Sequence, residues 1–320
     1  MFRCILCSNE FEDCEKTEEH IFPDAIGGNI CIEEMCKGCN SHLGENVDAP
    51  MINSFPIEAK RQLLKLSGKK GHIPNPLEDG VLSTDPSQKV KYKFKDGLPE
   101  SLYMVPNFKY GKDENGNDTI QITLDKKDEH KIPEIMDKIK KRASKNGKPV
   151  ELGEIKKSEG RDERPWMQMT KIFNLYDWQR CIIKIAYEVT YRKFGINYLD
   201  NPIAVRIREL LKKKTIDQTD LENARIQGNI TFANGGVTIP FVDDPNCLYA
   251  ILLPIDGKLI CSVRIFDSYQ GFIVVDDNYD GKYPTDGEII KIDVVHKSKE
   301  EISFLEFIKQ QTSLIEQKGI

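Results

Sequence analysis

No run of about 18 apolar residues occurs in this sequence, which excludes a helix that spans a membrane. The first ten residues lack an apolar core and carry two cysteines, so no export signal is read there. A basic surplus is missing too: 46 lysines and arginines stand against 51 aspartates and glutamates, a net charge of −5. That balance excludes a surface coated in positive charge, so a nucleic-acid partner would have to be met by local charge. Internal repeats are absent. Cysteine usage does not fit a disulfide framework, because nine is an odd number and the chain is large and without an export signal. Six of the nine (Cys4, Cys7, Cys14, Cys31, Cys36 and Cys39) fall within the first 39 residues. In a reducing, cytoplasmic setting such clustering points to metal.

What is present divides into stretches of different character, and a length of 320 residues leaves room for about two domains. Pro56 to Lys70 reads as a helix with apolar Ile57, Leu63, Leu64 and Leu66, basic Lys60, Arg61, Lys65, Lys69 and Lys70, and terminators Gly68 and Gly71. Residues 72–130 read as β-rich: Val90 to Phe94 alternates, and Asp96-Gly97 and Asn115-Gly116 supply turns. A helix from Pro133 to Ser144 follows and runs into lysines up to Lys148. The charged, glycine-containing stretch 154–164 reads as a linker. Asp177 can cap a helix whose Trp178, Cys181, Ile182, Ile185, Ala186 and Val189 form a buried stripe. Its Arg180, Lys184 and Arg192 read as ordinary charged positions of an amphipathic helix. A second helix covers Pro202 to Lys214. Leu248–Leu253 and Lys258–Arg264 flank Asp256-Gly257, a strong hairpin signal, with Gly271–Val275 as a third strand and a short helix near residues 300–311. The expectation is an α+β protein with three parts: 1–70, a β-rich and helical extension 71–153, and an α+β region 165–320 with helices before an antiparallel sheet.

The chemistry concentrates in the first fifty residues. Cys4-x-x-Cys7 and Cys36-x-x-Cys39 are two knuckles, each able to offer two thiolates to one ion, the donor set of a closed structural zinc site. The interval between them exceeds that of a short ribbon and contains Glu19-His20-Ile21-Phe22-Pro23 and Gly27-Gly28, while the second knuckle runs directly into Asn40. An imidazole can activate water near neutral pH, and a carboxylate and an amide oxygen are hard ligands suited to Mg²⁺ or Mn²⁺. Together these could hydrolyse a phosphodiester.

This arrangement resembles the HNH endonuclease family, the ββα-metal nucleases, in the branch supported by zinc knuckles. The resemblance rests on Glu19-His20, the Ile-x-Pro after it, Gly27-Gly28, Cys36-x-x-Cys39-Asn40, Gly44 and Asp48, and covers about residues 1–50. It implies an amino-terminal ββα-metal module stapled by zinc. By the same resemblance His20 is the general base, Glu19 and Asn40 are ligands of a catalytic divalent ion, and a middle asparagine orients the base. Asn29 is the residue available for that last role, although the family's asparagine usually lies nearer the second knuckle. DNA cleavage in bacterial defence against foreign DNA is the implied role, with double-stranded DNA as the partner, RNA left open, and a homo-oligomer or an activating partner conceivable.

Lys60, Arg61, Lys65, Lys69 and Lys70 follow the module directly and are expected to contact nucleic acid. Lysines 138–148 read as a solvated helix face. His42, two residues past Asn40, points to another side of its helix, and His72, His130 and His296 belong to no motif. The competing reading is a zinc ribbon without catalysis, acting as a nucleic-acid-binding or regulatory protein.

Overall fold

In the computed structural model, residues 1–69, 71–145, 153, 156–160, 165–232, 244–281 and 287–318 are described. They fall into two compact units, one formed by Met1–Pro74 with Phe173–Ile320 and the other by Asn75–Ile172. Lys70, Lys148 and most of the stretch 154–164 lie outside the described residues. The protein is α+β, and every sheet is antiparallel. Among the described residues no helix is long and apolar enough to cross a membrane.

The first unit opens with β1 (Phe2–Arg3) paired to β2 (Glu10–Phe11), then the hairpin of β3 (Lys16–His20) and β4 (Cys31–Cys36). The glycine pair lies in the loop between β3 and β4. Gly27 adopts φ +92° at the end of a short helical turn, and a Cβ on Gly28 would sit 1.8 Å from the carbonyl oxygen of Phe22. One glycine thus supplies a left-handed turn and the other a close backbone approach. Helix α1 (Lys37–Leu43), a π-helical turn over Gly44–Asp48 and α2 (Ala49–Ile52) run on without a break. Helix α3 spans Phe55–Leu64 and stops at Lys65, which is left-handed at φ +57°, several residues earlier than the glycines suggest.

The second unit contains β5 (Gly80–Leu82), β6 (Asp85–Lys95), β7 (Leu98–Met104), β8 (Asn107–Lys112), β9 (Asp118–Thr123), α4 (Ile132–Lys145) and β10 (Met167–Gln168). Strand order is β10-β5-β6-β7, with β8-β9 a separate hairpin. Both expected turns occur, with Gly97 and Gly116 at φ above +80°.

The chain then returns to the first unit with α5 (Leu175–Phe194), α6 (Pro202–Leu211), α7 (Gln218–Ala224), β11 (Gly228–Phe232), β12 (Cys247–Ile255), β13 (Lys258–Ile265), β14 (Tyr269–Asp276), β15 (Glu288–Asp293), β16 (Ser298–Ser303) and α8 (Phe304–Lys318). Asn174, not Asp177, caps α5, its side-chain oxygen accepting from the Tyr176 amide at 3.0 Å. The sheet order is β11-β14-β13-β12-β15-β16. Alternation along β12 separates two faces. Leu248, Ala250 and Leu252 join the main core with Ile182, Ile185 and Ile207 of α5 and α6, whereas Cys247, Tyr249 and Ile251 meet Phe307 of α8.

Helix α5 departs from the amphipathic expectation. From Trp178 to Tyr191 only Gln179 is not fully buried, so Arg180, Lys184 and Glu188 are interior charges. A helix hydrophobic on all sides except for a few charges is one packed on all sides. One face meets the strands of the sheet, and another meets residues 1–74 through side chains spaced four and three apart. Arg180 donates to the Asn46 carbonyl at 3.3 Å, Lys184 to the His20 carbonyl at 2.7 Å, and the Tyr187 hydroxyl to the Ile5 carbonyl. This helix is why the amino-terminal module and residues 173–320, which the sequence reading separates, share one core.

Two substitutions test the glycine argument. Gly28→Ala forces a Cβ into the Phe22 backbone and is expected to destabilise by about 2 kcal/mol or more. Gly38→Ala meets nothing within 4 Å inside a helix and should be neutral or stabilising by up to about 1 kcal/mol. Urea unfolding of both variants checks the ordering, and equal midpoints would refute it.

Candidate metal centre and active site

The two knuckles converge. The sulfurs of Cys4, Cys7, Cys36 and Cys39 all lie within 4.8 Å of one another. A tetrahedral zinc with bonds of about 2.3 Å holds its sulfurs about 3.8 Å apart, so the four thiols fit one ion. The Cys36 backbone N–H points at the Cys4 sulfur at 3.5 Å. The Cys39 thiol and then the amides of Cys36, Cys7 and Leu6 pull the Cys4 thiol down to about 4, while the same contact pushes the Cys39 thiol up and burial raises that of Cys7, so one proton is shared where a metal would bind. Such an ion would join the loop after β1 to the start of α1 and so fix α1 against the β3–β4 hairpin.

Against that hairpin lies an open cleft of about 550 Å³ lined by Glu19, His20, Asp24, Asn40, Asp48, Arg61, Lys69 and His72 among others. Glu19 and His20 end β3. Asn40, Gly44, Asp48 and Ile52 all face the cleft at intervals of four, because a four-residue step overshoots one α-helical turn whereas the wider π turn falls short of its own. The expected base and both expected metal ligands therefore share one cavity.

Asn40 is held firmly. Its Nδ2 donates to the Thr17 hydroxyl at 3.1 Å and to the Glu18 carbonyl at 2.7 Å, while the Thr17 hydroxyl donates to the Met35 carbonyl at 2.8 Å. Both amide hydrogens are engaged, and the Glu18 carbonyl can only accept, which fixes the orientation of the amide and leaves its oxygen as the free acceptor. His20 is half-buried, and burial, followed by the charge of Lys69, holds its imidazole below the usual range, which favours its neutral form.

Glu19 is 3% exposed and rests on the Lys184 ammonium at 2.6 Å. Lys184 also lies 3.3 Å from Asp48 and 3.3 Å from Glu188. Burial pushes the Asp48 carboxyl up to about 6 against the pull of Lys184, and pushes Glu188 well above the carboxylate range. Sequence reasoning did not find Lys184 or Glu188. The available signal was a lysine and a glutamate four apart inside an otherwise apolar run, Cys181-Ile-Ile-Lys-Ile-Ala-Tyr-Glu-Val189. His72 was missed as a cleft residue because it belongs to no motif.

Other expected residues lie elsewhere. Asn29 is exposed and does not line the cleft. His42 is engaged with the Leu211 carbonyl at 2.9 Å and with Asn46. Lys60 is a correction: α3 turns it inward, where it is buried, paired with Asp267 at 3.1 Å and stacked over Phe266, so it is closed to nucleic acid. Arg61 and Lys69 do line the cleft, whereas Lys65 is exposed away from it. A second group, Asp244, Cys247 and Asp293, also clusters. There burial pushes the Cys247 thiol up to about 12 and His296 occupies Asp293 at 2.7 Å, so the group is satisfied by hydrogen bonds.

Residues 4–56 match the family model described as HNH endonuclease. No curated protein and no solved structure matches the chain at a significant level. The matched segment begins at Cys4 and ends in α3, taking in all four knuckle cysteines, Glu19, His20 and Asn40.

Metal analysis tests the cluster. One zinc per chain is expected, released by a thiol-blocking reagent, and Cys36→Ser should reduce the content to near zero with loss of stability. Full zinc content in Cys36→Ser would remove the proposed ligand set.

Proposed function

We propose that the protein is a metal-dependent endonuclease that hydrolyses phosphodiester bonds of DNA, working in the cytoplasm, where the knuckle thiols stay reduced, and serving in defence against foreign DNA. The observation that carries the reading is the convergence of Glu19, His20 and Asn40 on one cleft within the segment that matches the HNH endonuclease family.

The Glu19 carboxylate and the Asn40 amide oxygen form a hard-oxygen donor set suited to Mg²⁺ or Mn²⁺, with Asp48 behind them. Such an ion, when bound, stabilises charge on the phosphate and on the departing oxygen. The residues of the chain do the rest. His20, whose surroundings favour the neutral imidazole, takes a proton from the attacking water. Arg61 lines the cleft with its guanidinium donating to the His72 carbonyl at 3.3 Å, so its positive charge is held where a phosphate would sit. Lys69 adds an exposed cation on the same rim. These two supply the local positive charge that an acidic chain needs, and they attract phosphates without reading sequence. The Lys69 backbone amide is tied to Asp24 at 2.8 Å, which anchors the rim at a fixed distance from β3.

His20→Ala should cut plasmid DNA about 10²–10⁴-fold more slowly with Mg²⁺ or Mn²⁺ while keeping its zinc. Wild-type protein that binds neither ion and never cuts single-stranded, double-stranded or supercoiled DNA would end the nuclease reading. Binding measured against salt separates the basic residues. Arg61→Met should lower the slope of log affinity against log salt by about one unit, and Lys60→Met should leave it unchanged.

A further inference from the structure

The expected base and one expected metal ligand of the cleft both contact one side chain that lies outside the matched segment. The Lys184 ammonium carries three hydrogens. It donates to the His20 backbone carbonyl at 2.7 Å and to the Asp48 carboxylate at 3.3 Å. The Glu19 and Glu188 carboxylates form ion pairs with it at 2.6 Å and 3.3 Å. Lys184 itself is fully buried and is not part of the cleft lining, so it supports these groups from beneath.

Two further observations give this contact a purpose. The backbone on either side of Glu19 is clamped on both carbonyls, that of Glu18 by Asn40 and that of His20 by Lys184. Asn29, which the sequence offers for orienting the base, is exposed and makes no such contact, so the orienting donor comes from α5 instead. The charge balance is also uneven. Glu19, Asp48 and Glu188 are all buried beside a single ammonium, and neither oxygen of Glu188 has a hydrogen-bond donor among the described residues. Three acidic side chains thus crowd a single ammonium in a dry place, and a divalent cation at the Glu19 face of the cleft would add positive charge that one lysine does not supply. The lysine holds one oxygen of Glu19 and leaves the other for that cation.

We propose that Lys184 is a positioning residue of the nuclease centre, fixing the Glu19 carboxylate for the divalent ion and the His20 main chain for proton transfer, so that residues 173–320 complete the site. This rests on the nuclease reading above.

The test uses the full chain. In Lys184→Met/Glu188→Gln the ammonium and one carboxylate are removed together at nearly constant volume, with zinc content and circular dichroism as controls of folding. Mn²⁺ affinity, measured by calorimetry without DNA, should fall at least 10-fold, and cleavage at saturating Mn²⁺ should fall about 100-fold with the KM for DNA little changed. A residue that merely supports the core would lower the unfolding midpoint and leave Mn²⁺ affinity and turnover of the folded protein within twofold, and that result overturns the proposal. An affinity that rises would make the ammonium a competitor of the metal and overturn it equally. The wild type provides a second measurement that needs no variant. The side-chain ammonium signal of Lys184 in nuclear magnetic resonance should be protected from exchange and should move on saturation with Mg²⁺; a signal that stays in place while Mg²⁺ binds contradicts the proposal. Wild-type protein that neither binds Mn²⁺ nor cuts DNA sinks the nuclease reading itself, a different outcome from unaltered activity in the double variant.

Discussion

The ammonium of Lys184 is the contact on which the arrangement of the first unit turns. A lone buried lysine is costly, and so is a lone buried carboxylate, because each loses its hydration. Here they are placed together: Lys184 and Glu188 on α5, Glu19 on β3 and Asp48 in the π turn. None of the three elements can move away without leaving an uncompensated charge, and breaking a buried pair by removing one partner typically costs about 3–5 kcal/mol. The amino-terminal module is therefore bound to α5 by charges that neither part can bury alone. Arg180 and Tyr187, on the same face of α5, extend the joint by donating to the Asn46 and Ile5 carbonyls.

That joint also separates charge within the cleft. The local positive charge that a nucleic-acid partner needs lies on the rim, at Arg61 and Lys69, and the negative charge lies in the floor, at Glu19 and Asp48. Charge separated in this way would suit a phosphate and a cation at different levels of the same cavity, which a uniformly basic surface would not. The global net charge of −5 says nothing about such a distribution.

Legibility followed the range of the interactions. The knuckles, the Glu19-His20 pair and Asn40 could be read because metal sites and hairpins fix residue types at short spacings, and the structure brings all three cleft residues and all four sulfurs together. The sheet hairpin at Asp256-Gly257 was legible for the same reason, with Ile255 opposite Lys258 as the turn requires. Lys184 was not, since a lysine on a helix with an apolar stripe reads as solvated unless its partner, 165 positions earlier in the chain, is known to be there. Lys60 failed in the same way. The sequence shows a basic helix, but the Asp267 that draws it inward belongs to the turn between β13 and β14. Helix α3 is shorter than its glycines imply because a non-glycine residue, Lys65, takes the left-handed position that ends it.

The cysteine cluster and the buried ion cluster do different mechanical work. The cysteines act at the start of α1 and would fix where the helix leaves the hairpin. The Lys184 group acts about three turns further along, at Asp48, and fixes how the helix and β3 face each other across the cleft. Asn40 lies between these two anchor points, one residue after the last cysteine and eight before Asp48, with its amide locked to the Glu18 carbonyl. A side chain so placed cannot follow a movement of the hairpin without carrying the helix along. The geometry between Glu19, His20 and Asn40 is therefore set from both ends of the same helical run, and one of those ends depends on a residue that the module does not contain.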